Sequence, residues 1–376
     1  MKFVGLWLLV LALMCGIIFY VGWRGHQAFR GRFKTRQIIT YWVVYGLFST
    51  SFILVERLGL AGGVLNEGLS WLGGYSLAFI YYAVLILVLI DIVRLADRWW
   101  SIIPHRIKHA PAEVGLIVLL ILAGLLGYGT WNAYHPVYVS YDINIPKEAG
   151  SIQGIHAVMV SDLHLGAIVN KNRLEKLVAS INERDPDIVF LAGDIVDENI
   201  QPFIKGNMAG TLARLKAPLG VYMVKGNHDG YGQDAAPYLQ AAGIRLLSDE
   251  YLLVGDSFYL VGRSTRQHGV DPGERPELAE IMKGIDLSQP VILLDHNPAE
   301  LAEAGANKVD LQLSGHTHQG QLFPNNYITD RIYDIDWGYM KKGDLQVVVS
   351  TGFGTWGPPI RIGNTPEIVD LHIKFR

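Results

Sequence analysis

Five short apolar runs in the second half of the chain each end in side chains that bind metal ions in proteins. The runs read HAVMVSDLH, DIVFLAGD, GVYMVKGNHD, VILLDHNP and DLQLSGHTH. Each run looks like a buried strand, so its polar tail should lie at a strand end, where ligand sites of α/β sheets form. The tails supply eight candidate residues, which are Asp162, His164, Asp194, Asn227, His228, His296, His316 and His318.

These residue types suit a pair of divalent metal ions. Two metals about 3.5–4 Å apart can clamp the oxygens of a phosphate ester and lower the pKa of a bridging water. Such a site needs one carboxylate shared by both ions, and Asp194, which follows Gly193, is the natural candidate. Asp162 and His164 can reach one ion together because alternate residues of a strand point to the same side. Asn227 offers a neutral oxygen that limits the negative charge. The residues therefore predict metal-dependent hydrolysis of phosphate esters.

In this order, the motifs D-x-H, G-D-x-x-D, G-N-H-D, a strand-terminal His and G-H-T-H resemble those of the calcineurin-like metallophosphoesterases. In this chain they stand at Asp162–His164, Gly193–Asp197, Gly226–Asp229, His296 and Gly315–His318. All five blocks are present with no ligand replaced. The resemblance covers roughly residues 150–376 and is closest to the membrane-attached members, in which transmembrane helices precede the phosphoesterase domain.

The resemblance implies a role for each residue. One ion would be held by Asp162, His164, Asp194 and His318. The other ion would be held by Asp194, Asn227, His296 and His316. His228 would contact the phosphate and protonate the leaving oxygen, while Asp229 would orient His228. Asp197 would support one of the metal ligands. The resemblance also implies a fold of two facing mixed β-sheets flanked by helices.

The ligand set and the composition bound the cofactors and partners. Mixed carboxylate, amide and imidazole ligands suit Mn, Fe or Zn, and Mn is favoured by its tolerance for oxygen donors. The single cysteine, Cys15, excludes an intrachain disulfide and a thiolate zinc site. The formal net charge of -3 argues against a nucleic-acid binder driven by overall basicity, so no nucleic acid is expected. Nothing in the sequence indicates an oligomeric state.

The elements that precede these motifs are of a different kind. The chain is 50% hydrophobic and only 18% charged, and most of the apolar excess lies before residue 135. Four stretches are long and apolar enough to predict membrane-spanning helices, at residues 3–23, 37–55, 69–90 and 114–131. The first has an apolar core longer than that of a signal peptide, so we expect an uncleaved helix.

Loop charge predicts the orientation of these helices. The first predicted loop carries Arg24, Arg30, Arg32, Lys34 and Arg36. The third carries Arg94, Arg98, Arg106 and Lys108. After the fourth helix, the next basic residue is Lys147. Because short basic loops stay in the cytoplasm, the catalytic half should lie on the extracytoplasmic side of the inner or plasma membrane. The segment from Ile92 to His109 is either an interfacial helix or a solvated basic loop with aromatic anchors.

The predicted organisation has three parts. An all-α membrane domain covers residues 1–131, a linker covers 132–153, and an α/β metallophosphoesterase domain covers 154–376. Helices of the last domain are predicted at 171–184, 203–215, 235–242 and 277–283. Arg361 either neutralises a substrate phosphate or pairs with Glu367. The histidines outside the motifs, among them His109, His135 and His268, are interpreted as structural or surface groups.

The functional prediction is a membrane-anchored enzyme that hydrolyses a phosphate mono- or diester. A lipid-linked substrate is a hypothesis that rests only on the position of the site beside the bilayer. Two alternatives remain open. One is a nucleotide or cyclic-dinucleotide phosphodiesterase that is merely tethered to the membrane, and the other is a non-catalytic receptor or scaffold with a metal-stabilised domain.

Overall fold

The computed structural model describes residues 2–58, 64–229, 234–265 and 275–376. The chain divides into two compact units. The first, the helical unit, comprises Met1–Thr130 with Gly357–Pro359. The second, the sheet unit, comprises Trp131–Trp356 with Ile360–Arg376. His268, interpreted above as a structural or surface group, lies outside the described residues.

The first half of the chain forms five helices. They are α1 (Lys2–Phe29), α2 (Thr35–Leu58), α3 (Val64–Trp100), α4 (His105–Lys108) and α5 (Pro111–Ala133). Within the described residues, three segments are long and apolar enough to cross a membrane, namely Leu8–Phe29, Glu67–Trp100 and Pro111–Ala133. Their large apolar side chains are mostly exposed, as expected for surfaces that face lipid.

The fourth predicted span, at residues 37–55, falls on α2. The segments found within the described residues do not include α2, so the predicted span at 37–55 stays a prediction. Residues 49–51 of α2 form a Ser-Thr-Ser run. The Ser49 and Ser51 hydroxyls donate to carbonyls of the same helix, and Ser51 also lies 3.4 Å from the Ser76 hydroxyl of α3.

The helix α3 continues about ten residues beyond the predicted span. Its last turns carry Arg94 and Arg98, so this part of the predicted third loop is helical. Near the same end, the Asp91 carboxylate accepts a hydrogen bond from the Tyr20 hydroxyl at 2.7 Å and pairs with Arg24 at 2.6 Å. Two helices of the helical unit are therefore joined by a charged contact.

Two six-stranded β-sheets form the sheet unit, which confirms the predicted fold class. The first sheet has the order β1-β12-β2-β3-β4-β5. Its strands are β1 (Val137–Ile145), β2 (Gly154–Val160), β3 (Ile188–Leu191), β4 (Val221–Met223), β5 (Arg245–Leu246) and β12 (Glu367–Phe375). The segment predicted as a linker thus contains an edge strand, β1, which pairs in parallel with β12.

The second sheet has the order β10-β11-β9-β8-β7-β6. Its strands are β6 (Glu250–Val254), β7 (Phe258–Arg263), β8 (Val291–Asp295), β9 (Leu311–Ser314), β10 (Gly338–Lys342) and β11 (Leu345–Val349). The two sheets face each other across one apolar core, to which Met159 and Phe190 contribute from the first sheet and Phe258 and Leu313 from the second. Burial of such large side chains holds the two sheets together.

Helices cover the outer faces of both sheets. They are α6 (Lys171–Asn182), α7 (Gln201–Lys205), α8 (Met208–Leu212), α9 (Ala236–Ala241), α10 (Leu278–Ile281) and α11 (Leu301–Ala306). A further helix, α12 (Asn326–Ile332), has no buried residue. α6 begins where the Asn170 side chain accepts from the Arg173 amide, as an N-cap does. The single helix predicted at 203–215 is two short helices, because Asn207 between them adopts a left-handed conformation (φ 49°).

Candidate metal centre

The predicted ligands follow the ends of strands that meet at one edge of each sheet. β2, β3 and β4 run parallel in the first sheet, and β8 and β9 run parallel in the second. The carboxyl ends of parallel strands lie at the same edge, so the side chains after them converge. These side chains belong to Asp162, His164, Asp194, Asn227, His296, His316 and His318.

The backbone is strained where these side chains leave the strands. Five of the seven residues have left-handed backbone angles, with φ between 48° and 73°: Asp162, His164, Asp194, His316 and His318. Residues other than glycine avoid this region, and such strain is concentrated at functional sites in proteins. Backbone hydrogen bonds hold the turns, because the amides of Asp162 and His164 donate to the carbonyls of Gly193 and Asp194.

A first cluster joins one carboxylate and two imidazoles. The Nε2 atom of His318 lies 3.3 Å from Asp162 Oδ1 and 3.2 Å from His164 Nε2. All three side chains are buried, and their ligand atoms lie within 4.8 Å of one another. Burial lowers the pKa of His164 to about 3, since water no longer solvates an imidazolium. A neutral imidazole is the form that binds a metal ion.

A second cluster lies next to the first. It brings together Asp194, His296 and His316, whose ligand atoms also lie within 4.8 Å of one another. His296 Nε2 is 3.1 Å from Asp194 Oδ2, and His316 Nδ1 is 2.7 Å from the side-chain oxygen of Asn227. This group therefore offers a carboxylate, an amide oxygen and two imidazoles.

One oxygen of Asp194 connects the two clusters. Its Oδ2 lies 3.1 Å from His296 Nε2 in the second cluster and 4.0 Å from His164 Nε2 in the first. The other oxygen, Oδ1, accepts a hydrogen bond from the His228 amide at 2.7 Å. Asp194 therefore stands where a carboxylate shared by two ions would stand.

The donor set fits two divalent cations. His296 is buried, and its Nδ1 lies 2.8 Å from the Ala192 carbonyl, which accepts its proton and turns the Nε2 lone pair toward the cluster. That Nε2 atom faces Asp194 Oδ2 at 3.1 Å. Burial raises the pKa of Asp162 to about 6, and the neighbouring Asp194 charge adds to this effect. A cation would stabilise both buried carboxylates and could take this nitrogen as a ligand.

Two glycines leave the space that the ligands occupy. A Cβ atom at Gly226 would lie 2.1 Å from Asp194 Oδ1, and one at Gly315 would lie 2.3 Å from Asp162 Oδ2. Any larger residue would displace a carboxylate, so both positions require glycine for close packing.

His228 lies beside the first cluster, and its ring centroid is 5.1 Å from that of His164. Its Nδ1 is 3.1 Å from a carboxylate oxygen of Glu198. Burial alone would lower the pKa of His228, but the hydrogen bond to Glu198 and the Asp194 charge outweigh it and raise the pKa. This shift favours the protonated imidazole.

The structure differs from the prediction that Asp229 orients His228. Its Oδ1 accepts hydrogen bonds from the amides of Ile195 and Val196, and its Oδ2 accepts one from Gly226. The carboxylate points inward because these buried amides need an acceptor. Asp229 therefore ties the loops after β3 and β4 together, and Glu198 is the carboxylate seen against the imidazole.

Asp197 and Arg361 support the first cluster from behind. Asp197 Oδ1 lies 4.0 Å from His164 Nδ1, beside the ligand it was predicted to support. Arg361 is completely buried and donates to the carbonyls of Thr351 and Gly354, and its NH2 nitrogen lies 3.1 Å from His318 Nδ1. Neither interpretation of Arg361, a phosphate contact or a pair with Glu367, matches these contacts.

Sequence reasoning missed two residues near the site. Glu198 follows the G-D-x-x-D motif directly, and Trp356 lies in a glycine-rich loop. The Trp356 ring is half exposed and its centroid is 5.4 Å from that of His228. Gln321 fixes this loop, because its side-chain amide bonds both the amide and the carbonyl of Trp356. Only adjacency to a motif could have pointed to Glu198.

Comparison with known proteins gives consistent similarities. The family model described as calcineurin-like phosphoesterase matches residues 155–320. A transmembrane protein with metallophosphoesterase domain from Danio rerio is 32% identical over 275 residues, which is 69% of this chain and 62% of that protein. An uncharacterized metallophosphoesterase from Aquifex aeolicus is 35% identical over 263 residues, which is 68% of this chain and 98% of that protein.

A third relative is an uncharacterized metallophosphoesterase from Campylobacter jejuni. It is 31% identical over 263 residues, which is 68% of this chain and 68% of that protein. The chain thus spans somewhat less than two thirds of the Danio rerio protein and nearly the whole of the Aquifex aeolicus protein.

Proposed function

Because this chain belongs to the calcineurin-like phosphoesterase family, we propose that it is a membrane-anchored metallophosphoesterase with two divalent metal ions. Its reaction would be hydrolysis of a phosphate mono- or diester. The observation that carries this proposal is the pair of ligand clusters connected by one oxygen of Asp194. A domain that only binds a partner has no need for two adjacent, desolvated cation sites.

The ligand roles follow the two clusters. Asp162, His164, Asp194 and His318 would hold one ion. Asp194, Asn227, His296 and His316 would hold the other. When bound, the ions supply Lewis-acid polarisation of the phosphate and a water of lowered pKa. The oxygen donors among these ligands favour Mn, with Fe or Zn as alternatives.

His228 would serve as the general acid. Glu198 accepts from its Nδ1, so the proton for transfer would be on Nε2. Water would form the new bond to phosphorus, the ester bond would break, and the imidazole would protonate the leaving oxygen. The hydrogen bond from the His228 amide to Asp194 holds the imidazole beside the shared carboxylate.

A lipid-linked phosphate ester is the substrate class that the position of the domain favours. Within the described residues, three segments are apolar enough to span a bilayer, and Tyr134, His135 and Pro136 separate the last of them from β1. This connection is too short to carry the sheet unit far from a membrane. The competing substrate is a nucleotide ester, with the helices serving as a tether.

The extracytoplasmic location depends only on the last span. Arg94, Arg98, Arg106 and Lys108 precede α5, and the first basic residue after it is Lys147. The positive-inside rule then places the beginning of α5 in the cytoplasm and its end outside. Added protease should cut the sheet unit in intact cells, and cleavage only after lysis would contradict this location.

Metal analysis followed by an ester screen tests the proposed activity. Full-length protein in nanodiscs should contain two equivalents of divalent metal and hydrolyse at least one class of phosphate ester. The screen should include soluble monoesters, diesters, nucleotides and lipid phosphates. Equal hydrolysis by native protein and by the variants Asn227→Ala and His228→Ala would instead support the receptor or scaffold alternative.

A further inference from the structure

An apolar ridge projects from the sheet unit at α12. It consists of Phe323, Tyr327, Ile328 and Ile332, and these side chains are 44%, 60%, 56% and 66% exposed. Every residue of α12 is exposed or half-buried. Soluble proteins rarely expose neighbouring large apolar side chains in this way, and such a patch indicates a partner or a membrane. We call these four residues the α12 ridge.

The pattern of α12 suits the headgroup region of a bilayer. Ile328 and Ile332 are four residues apart and share one face of the helix, next to Tyr327. The exposed Arg331 falls between Tyr327 and Ile328 on the helical wheel. Its aliphatic stem can lie along the apolar face while its guanidinium reaches lipid phosphates.

The α12 ridge is attached to the same loop as the end of the spanning helix α5. The Phe323 amide donates to the Ile362 carbonyl at 2.7 Å. Two residues of this loop accept hydrogen bonds from the Asn132 side chain, namely Arg361 at 3.1 Å and Asn364 at 2.6 Å, through their carbonyls. Asn132 belongs to the last turn of α5, so the ridge lies on the side of the sheet unit where the anchor enters.

Exposed aromatic residues also lie at the end of α5. Trp131 and Tyr134, at the end of α5, are both exposed. Tryptophan and tyrosine are enriched where a spanning helix leaves the hydrocarbon for the headgroups. Where α5 spans a bilayer, these two residues would lie at the level of the headgroups.

The metal centre is connected to this loop as well. Arg361 contacts His318, and the Asn364 side chain donates to the Gln319 carbonyl at 3.2 Å. The end of α5, the α12 ridge and the proposed metal ligand His318 thus all contact residues 361–364. The ridge is therefore linked through one loop to a proposed metal ligand.

We propose that the α12 ridge inserts into the headgroup region of the bilayer that α5 spans and holds the metal centre at that surface. The occupant of the ridge is the lipid bilayer. Docking does not depend on the chemistry of the site. Docking should also make the enzyme prefer phosphate esters of lipids over soluble esters. That preference rests on the proposed function.

Site-specific fluorescence tests the docking directly. Cys15, the single cysteine, is replaced by serine, and an environment-sensitive dye is attached at Ile328→Cys in full-length protein in phosphatidylcholine–phosphatidylglycerol nanodiscs. The matched control is Leu253→Cys, at an exposed leucine of β6. We expect lipid-borne nitroxide to quench the dye at 328 and soluble iodide to quench the dye at 253.

Two outcomes would overturn the proposal. Iodide quenching at 328 as strong as at 253 would show a ridge in water. Protection of the dye at 328 from both quenchers would show that a protein surface, such as a second copy of the chain, covers the ridge.

An activity measurement tests the consequence. The double variant Ile328→Glu/Ile332→Glu should lower hydrolysis of a diacylglycerol p-nitrophenyl phosphodiester in nanodiscs by about tenfold or more, because charged side chains leave the apolar interface. Hydrolysis of soluble bis-p-nitrophenyl phosphate should change less than about twofold. The control pair Leu253→Glu/Leu287→Glu should leave both rates near native.

Equal loss of both activities in the α12 variant would contradict the docking role. If the native protein hydrolyses neither ester while the dye at 328 is quenched from lipid, the proposed function fails and the docking stands.

Discussion

The two units of this protein differ in the partners of their polar groups. In the helical unit, hydroxyl groups such as those of Thr40, Ser49 and Thr130 donate to carbonyls of their own helices. In the candidate metal centre, the backbone is left-handed at five of the seven proposed ligands, and buried carboxylates and imidazoles lie a few ångströms apart. These hydroxyls of the helical unit thus bond within their own helices, whereas the sheet unit gathers buried ligand atoms from distant parts of the chain.

This contrast shows where substitutions should matter. Local hydrogen bonds within one helix survive most changes elsewhere, so the helical unit should tolerate single polar substitutions. The metal centre depends on side chains from five separate loops, so a change in one loop should affect ligands on another. Four pairs of variants test the contrast, beginning with the largest expected effect.

The shared carboxylate should show the largest effect. Asp194→Asn keeps the shape of the side chain but removes the charge that would face both ions, and we expect activity to fall by roughly a thousandfold with loss of metal. Asp91→Asn in α3 removes a carboxylate that contacts only Tyr20 and Arg24 in the described contacts, and should retain activity. Metal content by mass spectrometry and ester hydrolysis check both variants. Full metal content in Asp194→Asn would remove the shared-ligand role.

Close packing at Gly315 should rank second. A Cβ atom there would meet Asp162 Oδ2 at 2.3 Å and Ser161 Oγ at 2.5 Å, so Gly315→Ala should lower activity about a hundredfold by displacing a ligand. Gly46→Ala in α2 places a Cβ in open space among the described residues and should be neutral or stabilise by up to about 1 kcal/mol. Thermal unfolding and metal content measure both. Equal behaviour of the two alanines would contradict the packing argument.

The contact between Glu198 and His228 should have a smaller, pH-dependent effect. Glu198→Gln removes the hydrogen-bonded charge that raises the His228 pKa, so the imidazole should lose its proton at lower pH. The basic limb of the activity profile should shift to lower pH, with a rate loss of about tenfold at the upper end. Metal content should not change, and Glu198→Asp should restore part of the limb. An unmoved profile would exclude Glu198 as the positioning carboxylate.

Polar groups inside α2 should give the smallest effect. Ser49→Ala and Ser51→Ala each remove a hydroxyl that donates to its own helix, and we expect less than about 1 kcal/mol of destabilisation. Unfolding in detergent measures the change, and activity should remain native. A decrease of more than about 2 kcal/mol in the free energy of unfolding would mean that these hydroxyls stabilise contacts between helices. The 3.4 Å distance between the Ser51 and Ser76 hydroxyls is the one such contact described for them.

Much of this protein was predictable because its signals are local. An apolar run followed by Asp or His predicts a strand with a polar end, and all five such runs are strands of the two sheets. A helix was predicted at 171–184, and α6 occupies Lys171–Asn182 with Leu174, Leu177 and Ile181 on its buried face. The family was likewise predictable, since its motifs are short and keep their order along the chain.

Predictions failed where distant residues decide the outcome. Asp229 is next to His228 in sequence, yet buried amides from the neighbouring loop capture its carboxylate, and Glu198 from thirty residues away contacts the imidazole. Arg361 was interpreted from its charge alone, whereas its guanidinium donates to three residues, Thr351, Gly354 and Asn364, and not to Glu367.

The sequence by itself determined the element types, the family and the residues able to bind metal, because periodicity, composition and motif order are properties of neighbouring residues. The tertiary structure alone decided which carboxylate contacts His228, what surrounds Arg361, and which loop joins the α12 ridge to the end of α5. These outcomes depend on contacts between residues far apart in the chain, and packing of the two sheets brings those residues to within a few ångströms of one another.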